Sequence, residues 1–473
     1  MLSTQLAELL AGRPAGLDET FDLVAGFDDG LTGGLGRLDP RGTAALTDLA
    51  GALAGSPLGV PVAEAVAKVA AGSVGQEQLT ALAGGRTALL GAAHDALLAG
   101  ADAALGRSRA PWEPPTADTD AGPAVDHVLG GARSWLHELA IAGWRGVDHD
   151  LVAAAGQTID TLYAQPRLRR LAVLLDGLAV ELRACAPVAT MDRPPVRRWA
   201  DLWARALLLA HGGGWSAPPG PGPTVSGRLL VLGVDVHEHG TAVQLQAHGL
   251  LEADDGGPSR LVRTGVTAAK VDTIVGPAVW RLFARYPVLL GALADRRAVR
   301  VTDLPLLPGG DLLWRDERAR PDEVVDPFAA ARVRLAGALA PAVPPLDRHP
   351  VRIAEPVLVE GYRATVRTDD GAVEFDLAGA KVEVDLDRLP SCGPLTPALL
   401  RASSACLGLL RWDGGRWLLQ PLGVQATVKK QTTAVHTGDW AAGPTDPKVV
   451  KAEARAGDAV AVLRERAGRL LRR

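Results

Sequence analysis

Trp215-Ser-Ala-Pro-Pro-Gly-Pro-Gly-Pro-Thr224 divides the chain into two folding regimes. Its prolines withhold the backbone N–H groups that helix and sheet interiors need, and its glycines add backbone freedom. Neither element runs through such a segment. On its N-terminal side Ala and Leu recur at helical spacing; on its C-terminal side β-branched runs and hairpin turns take over. The expectation is a multidomain α+β chain, with an all-α helical N-terminal half and a β-rich C-terminal half that ends in a helix.

Outward from that run, Arg197–Ala210 places Trp199, Leu202, Trp203, Ala206 and Leu209 at helical spacing. Gln165–Ala184 does the same with leucines, and His127–Trp144 with Val128, Trp135, Leu136 and Leu139. Asp148 suits an N-cap for a helix over Leu151–Tyr163, because its carboxylate can accept early backbone N–H groups. These segments predict a helical bundle over 124–213. The Pro/Asp-rich Ser108–Pro123 loop separates it from a first helical region, 1–107. There Gln76–Leu105 is the longest helical stretch, and Gly84-Gly85, costing about 1 kcal/mol each relative to Ala, predicts a break or kink in it.

Downstream, 225–345 opens with a hairpin, Arg228–Val236 and Thr241–Leu250 around His237-Glu-His-Gly240. Arg260–Val266 adds a strand, and Pro277–Asp295 a helix kinked at Pro287. The next unit, 350–473, pairs Pro356–Thr368 with Ala372–Leu377, then predicts a helix over Thr396–Ala405. Leu407–Trp412 pairs with Arg416–Leu422 across Asp413-Gly-Gly415. The similar order of elements suggests a duplicated β-rich unit. From Pro447 to Arg473 a basic amphipathic helix closes the chain, suited to docking on its own domain.

With 473 residues, 47% apolar and 22% charged, the chain suits several globular domains. The net charge of −4 divides into −10 over 1–150 and +6 over 151–473, neither dense enough for a nucleic-acid binder. Three cysteines without a C-x-x-C pair predict neither a disulfide scaffold nor a structural zinc site. No basic signal region and no 18-residue apolar run free of charges or breakers is found, so a soluble, cytoplasmic protein without membrane contact is expected.

Four constellations resemble chemistry. His211-Gly-Gly-Gly-Trp215 matches an oxyanion-hole segment, but no G-x-S-x-G follows it, and glycines that end a helix explain it better. His237, Glu238 and His239 after an apolar strand resemble the start of a metal site, yet lack the further convergent ligands that zinc requires. Asp235 ends a strand before a tight turn, as in folds that hold Mg²⁺ and nucleotide, but the turn carries Glu238 where phosphate must approach. Trp412 and Trp417 beside Arg411 and Arg416 offer stacking and charge for a base or sugar, or else pair across the hairpin as packing. No P-loop, Rossmann fingerprint or H-E-x-x-H motif is present.

Arg197-Arg-Trp-Ala-Asp-Leu-Trp-Ala-Arg-Ala-Leu-Leu-Leu209 and Cys406-Leu-Gly-Leu-Leu-Arg-Trp-Asp-Gly-Gly-Arg-Trp417 resemble stretches in uncharacterised proteins of high-GC bacteria. Those proteins accompany SWIM zinc-finger proteins and MoxR-type AAA+ ATPases. The resemblance implies an accessory role beside such an ATPase and assigns no catalytic residue. The seven lysines against a large excess of arginine then read as coding bias, not as a binding surface. A non-enzymatic scaffold with protein partners and no cofactor is the expectation. An enzyme built on the 235–239 hairpin and a nucleic-acid-associated protein are its alternatives.

Overall fold

Leu and Ala stripes make helices that must bury one face, and large aromatic side chains on several of them give that face a common centre. The computed structural model describes residues 2–113, 123–211, 223–428, 431–456, 461–462 and 465. All of the Gly/Pro run except Pro223 and Thr224, together with Gly212–Gly214 before it, lies outside the described residues. The helical half comprises α1 (Leu2–Ala11), α2 (Leu17–Gly33), α3 (Pro40–Leu53), α4 (Gly59–Ala70), α5 (Gln76–Leu105), α6 (Pro123–Ala142), α7 (His149–Ala153), α8 (Gly156–Tyr163), α9 (Arg169–Cys185) and α10 (Val196–Ala210).

Trp144, Trp199, Trp203 and Phe27 are fully buried among the leucines of these helices. Trp203 Nε1 donates to the Leu136 carbonyl at 2.9 Å, so the indole is buried without stranding its polar edge. Residues from both 1–107 and 124–213 contribute to this one core, with α10 against α2, α5, α6 and α9. Asp148 caps α7 as the sequence predicts, accepting from Leu151 N at 2.8 Å, although the expected Leu151–Tyr163 helix is divided into α7 and α8.

No break occurs at Gly84-Gly85; α5 runs uninterrupted. The reason is packing. A Cβ on Gly85 would lie 2.8 Å from Leu53 Cδ1 and 3.1 Å from Val62 Cγ2, so glycine is what lets α3 and α4 close onto α5. By length and composition α5 is also long and apolar enough to cross a membrane. Here it is a core helix, and its polar Arg86 and His94 are buried inside the protein.

Past Pro223, β1 (Thr224–Glu238), β2 (Ala242–Ala253), β3 (Arg260–Ala269), β4 (Arg297–Pro305) and β5 (Ala319–Val324) form an antiparallel sheet in the order β3-β2-β1-β4-β5. The helix expected over Pro277–Asp295 is two pieces, a 3₁₀ turn over Gly276–Phe283 and α11 (Pro287–Asp295). Pro287 sits at the first helical position, where a missing N–H costs nothing. After α12 (Pro327–Arg334) comes a second sheet of β6 (Ala354–Glu360), β7 (Arg363–Val366), β8 (Val373–Leu377), β9 (Ala380–Val384), β10 (Ser403–Asp413), β11 (Arg416–Val428) and β12 (Gln431–His436). The expected Pro356–Thr368 strand splits at Gly361, whose φ is 72°. β6 pairs with β10, whereas β7 pairs with β8. The helix expected over Thr396–Ala405 is only α13 (Pro397–Arg401), since Ser403 already enters β10. β9 runs parallel to β11, a pairing the first sheet does not use, so the two β units do not share one connectivity. α14 (Pro447–Ala456) follows; most of the expected tail helix beyond it lies outside the described residues.

The sheets meet where β1 passes β11. A Cβ on Gly233 would lie 2.7 Å from Leu422 Cβ, and Thr437 Oγ1 donates to the Val234 carbonyl at 2.6 Å. The helical half joins them in two places. Leu6 of α1 and Leu97, Leu98 and Ala101 of α5 share a core with Trp412, Trp417 and Leu419 of the second sheet. The chain leaving α5 pairs at Ser108 and Ala110 with Ala340, and Leu261 N at the start of β3 donates to the adjacent Leu339 carbonyl. A cleft remains between α9, α10 and the first sheet.

Candidate functional site

That cleft, about 840 Å³, is walled by α9 and α10 on one side, by β2 and β3 on another, and by the Pro341–Glu355 segment beneath. Its lining includes eight arginines, Arg109, Arg169, Arg170, Arg198, Arg205, Arg263, Arg352 and Arg411, against four carboxylates, Glu181, Asp311, Asp347 and Glu355. No lysine takes part. Helical spacing explains the α9 contribution: Arg170, Val173, Leu174, Gly177 and Glu181 fall on one face. Strand alternation and register explain another, since His248 and Gln246 lie on the same face of β2 and Arg263 is the cross-strand partner of His248.

Two corners of the cleft differ in how their charges are matched. Near β3 and the second sheet, each arginine is held. Arg263 makes a fork with Asp311 at 2.6 and 3.0 Å, and Arg109 one with Asp102 at 2.7 and 2.8 Å. Arg109 also lies 3.1 Å from Glu355, which Arg107 reaches at 2.8 Å. Burial alone would raise the Glu355 carboxyl, but these two guanidinium groups outweigh it and keep it below the usual glutamate range. Arg411 bonds Asp235 at 3.1 Å and Gln420, and Gln420 Nε2 closes the triangle onto Asp235 at 2.7 Å. Burial, then Arg388, lowers Arg411 to about 10, which leaves it charged at neutral pH.

At the other corner, Arg170, Arg205 and Arg352 gather around two carboxylates, Asp347 and Asp201, the latter 3.5 Å from Arg205 Nη1. Arg170 Nη2 lies 3.0 Å and Arg205 Nη2 3.4 Å from the same oxygen of Asp347. Arg352 stands in the field of both arginines, and burial followed by repulsion from Arg205 lowers its pKa. Arg352 lines the cleft and is exposed to solvent. It has no hydrogen-bonded acceptor among the described residues. Arg205 is 8% exposed, and its Nε is buried without a partner. His248, 4% exposed, likewise has an unpartnered Nε2; burial drives its pKa down to about 3, so it is neutral. These two atoms are closed off from the cleft; the guanidinium groups that do open onto it suit a multiply charged anion.

The residues singled out from the sequence are distributed differently. His237 and His239 touch edge to face with ring centroids 4.5 Å apart, while Glu238 bonds Lys270 at 2.9 Å and Ser391. Among the described residues no group of three or more His, Cys, Asp or Glu is placed to hold a metal ion. His237, Glu238 and Asp235 instead line a second cleft of about 780 Å³, rich in carboxylates. Trp412 and Trp417 face one another across β10–β11 at 5.1 Å and 79°, buried to 3% and 6% exposure, which leaves neither ring face for stacking. Arg416 is exposed and paired with Glu383, whereas Arg411, on the opposite strand face from Trp412, reaches the arginine cleft. His211 ends α10 with its ring against Thr80 Oγ1 at 2.9 Å; the glycines after it lie outside the described residues.

Of the cleft, then, only Arg411 was legible in advance. The others stand in separate segments of the chain, each reading as an ordinary surface charge. The one signal was the arginine excess. Comparison of the chain with protein-family models, curated proteins and solved structures finds no match.

Proposed function

We propose that the protein is a non-catalytic accessory protein that captures an anionic group of its partner in the arginine-lined cleft. The observation carrying this reading is the corner at Asp347, where Arg170, Arg205 and Arg352 outnumber the carboxylates Asp347 and Asp201 and the Arg352 side chain donates to neither. Arginine stays charged at any physiological pH and presents planar forks suited to carboxylate and phosphate, so the site binds without needing to titrate. Binding, not chemistry, is favoured by the rest of the lining: His248 is held neutral and the carboxylates are engaged by arginines. Burial also raises the thiol of Cys392, to about 12, and that of Cys406, so neither is primed as a nucleophile. The accessory role agrees with the resemblance to proteins that accompany AAA+ ATPases, and such an ATPase is the first partner to test.

The experiment is thermal unfolding with pyrophosphate as probe, at constant ionic strength. A ligand of the native state at 100 times its Kd adds about 2.7 kcal/mol to stability. The expected result is a concentration-dependent rise in Tm that weakens as salt is raised, because the charges remain partly screened. No rise at millimolar pyrophosphate would count against the proposal.

A further inference from the structure

We infer that the group captured is a segment of an acidic, aliphatic-containing peptide belonging to a protein partner; this rests on the anion-binding reading and adds what surrounds the anion. Beside its charged groups the cleft also presents aliphatic side chains. Val173 and Val351 stand 61% and 46% exposed at its lip, with Leu174, Leu202 and Ile353 deeper in the wall. An inorganic anion or a sugar phosphate has no use for that surface, whereas side chains of Leu, Ile or Val do.

Length argues the same way. Arg170 and Glu181 lie at the two ends of the α9 face, eleven residues apart, or about 17 Å at helical rise. That matches about five residues of extended chain. The positive charge is divided between those ends: Arg170, Arg205 and Arg352 at one, and Arg198 at the other, where its fork onto Glu181 is 65% exposed and open to exchange with an incoming carboxylate. The complement is a short peptide with acidic residues flanking aliphatic ones.

Two features disfavour a nucleotide. Among the described lining residues there is no Phe, Tyr or Trp to stack on a base. Part of the wall is Pro341 and Pro344, which offer no backbone N–H, so the amide cradle that phosphates commonly use is not built on them.

Selection from a random heptapeptide library on the full chain, with counter-selection on the Arg170→Ala/Arg352→Ala double variant, tests the inference. Both replaced side chains face the cleft opening, and circular dichroism checks that the variant folds. The expected winners carry at least two acidic residues around an aliphatic one. Measured by fluorescence anisotropy, they bind the double variant at least about tenfold more weakly. Val173→Ser weakens them about fivefold while the pyrophosphate shift is unchanged, because one aliphatic contact is lost and no charge. If no peptide is enriched while pyrophosphate still stabilises the protein, the peptide inference fails and anion capture stands. ATP that binds more tightly than any selected peptide, indifferent to Val173→Ser, overturns it in favour of a phosphate metabolite. Failure of both probes removes both readings.

Discussion

Arg86 in the helical core and Arg352 in the cleft are both arginines set among other charges, but Arg86 is fully buried and Arg352 is exposed at the cleft opening. Arg86 is fully buried and forks onto Asp28 at 2.6 and 2.9 Å, with the Arg197 carbonyl and Asp201 nearby. Asp28 matches its charge within the fold, although its Nη1 makes no hydrogen bond and only lies 3.7 Å from Asp201; full burial identifies it as structural. Arg352 stands with Arg170 and Arg205 near Asp347 and Asp201, three cations to two carboxylates, and its side chain makes no hydrogen bond to either. A surplus of the same side chain marks a place prepared for something else. The acidic cleft resembles the first case: Glu238, Asp370, Glu383 and Asp385 each have a basic partner. Glu383 Oε2 lacks a well-angled hydrogen bond, but Arg367 Nη2 lies 3.0 Å from it and supplies the charge.

The comparison can be broken most forcefully at Arg86. Arg86→Ala would leave Asp28 buried without its fork, and removing one partner of a buried pair costs about 3–5 kcal/mol. Urea unfolding should find a loss of that size, and the Asp28→Leu/Arg86→Met double replacement should recover most of it. A loss below about 1 kcal/mol would mean that the pair is not structural.

A smaller effect comes from the buried histidines. Burial depresses His248 and His436 to about 3, against an ordinary value near 6.5. The unfolded chain therefore takes up protons below about pH 6.5 that the folded chain refuses, so stability is retained above that pH and lost as pH falls towards 3. His436→Gln should flatten the slope of stability against pH between 6 and 4 by up to about one proton. His248→Gln should do likewise, and adding pyrophosphate should not restore the lost slope, since the neutral ring carries no charge to the anion. Unfolding curves collected across that pH range provide the check.

Much of this architecture was legible beforehand. The helical and β-rich halves, the Asp148 cap and the β10–β11 hairpin across Asp413-Gly-Gly415 follow from local periodicity and turn chemistry. What was not legible depended on distant neighbours. Gly84-Gly85 reads as a break until Leu53 and Val62 are seen pressing on Gly85. The parallel β9–β11 pairing joins segments whose local patterns are silent about direction. The cleft is the extreme case, since Arg109, Arg170, Arg205, Arg263, Arg352 and Arg411 come from six elements or loops and only the fold brings them to one space. Trp412 and Trp417, conspicuous in the sequence, were conspicuous as packing.

The most direct measurement is calorimetric titration of pyrophosphate into the wild-type protein, Arg352→Ala and Asp347→Asn. Because Arg352 is exposed and its side chain makes no hydrogen bond within the fold, its replacement should change stability by no more than about 0.5 kcal/mol while weakening binding at least about tenfold. Asp347→Asn removes the carboxylate that now occupies Arg170 and Arg205, and should tighten binding. Equal heats and affinities in all three proteins would contradict the assignment of this corner as the anion site.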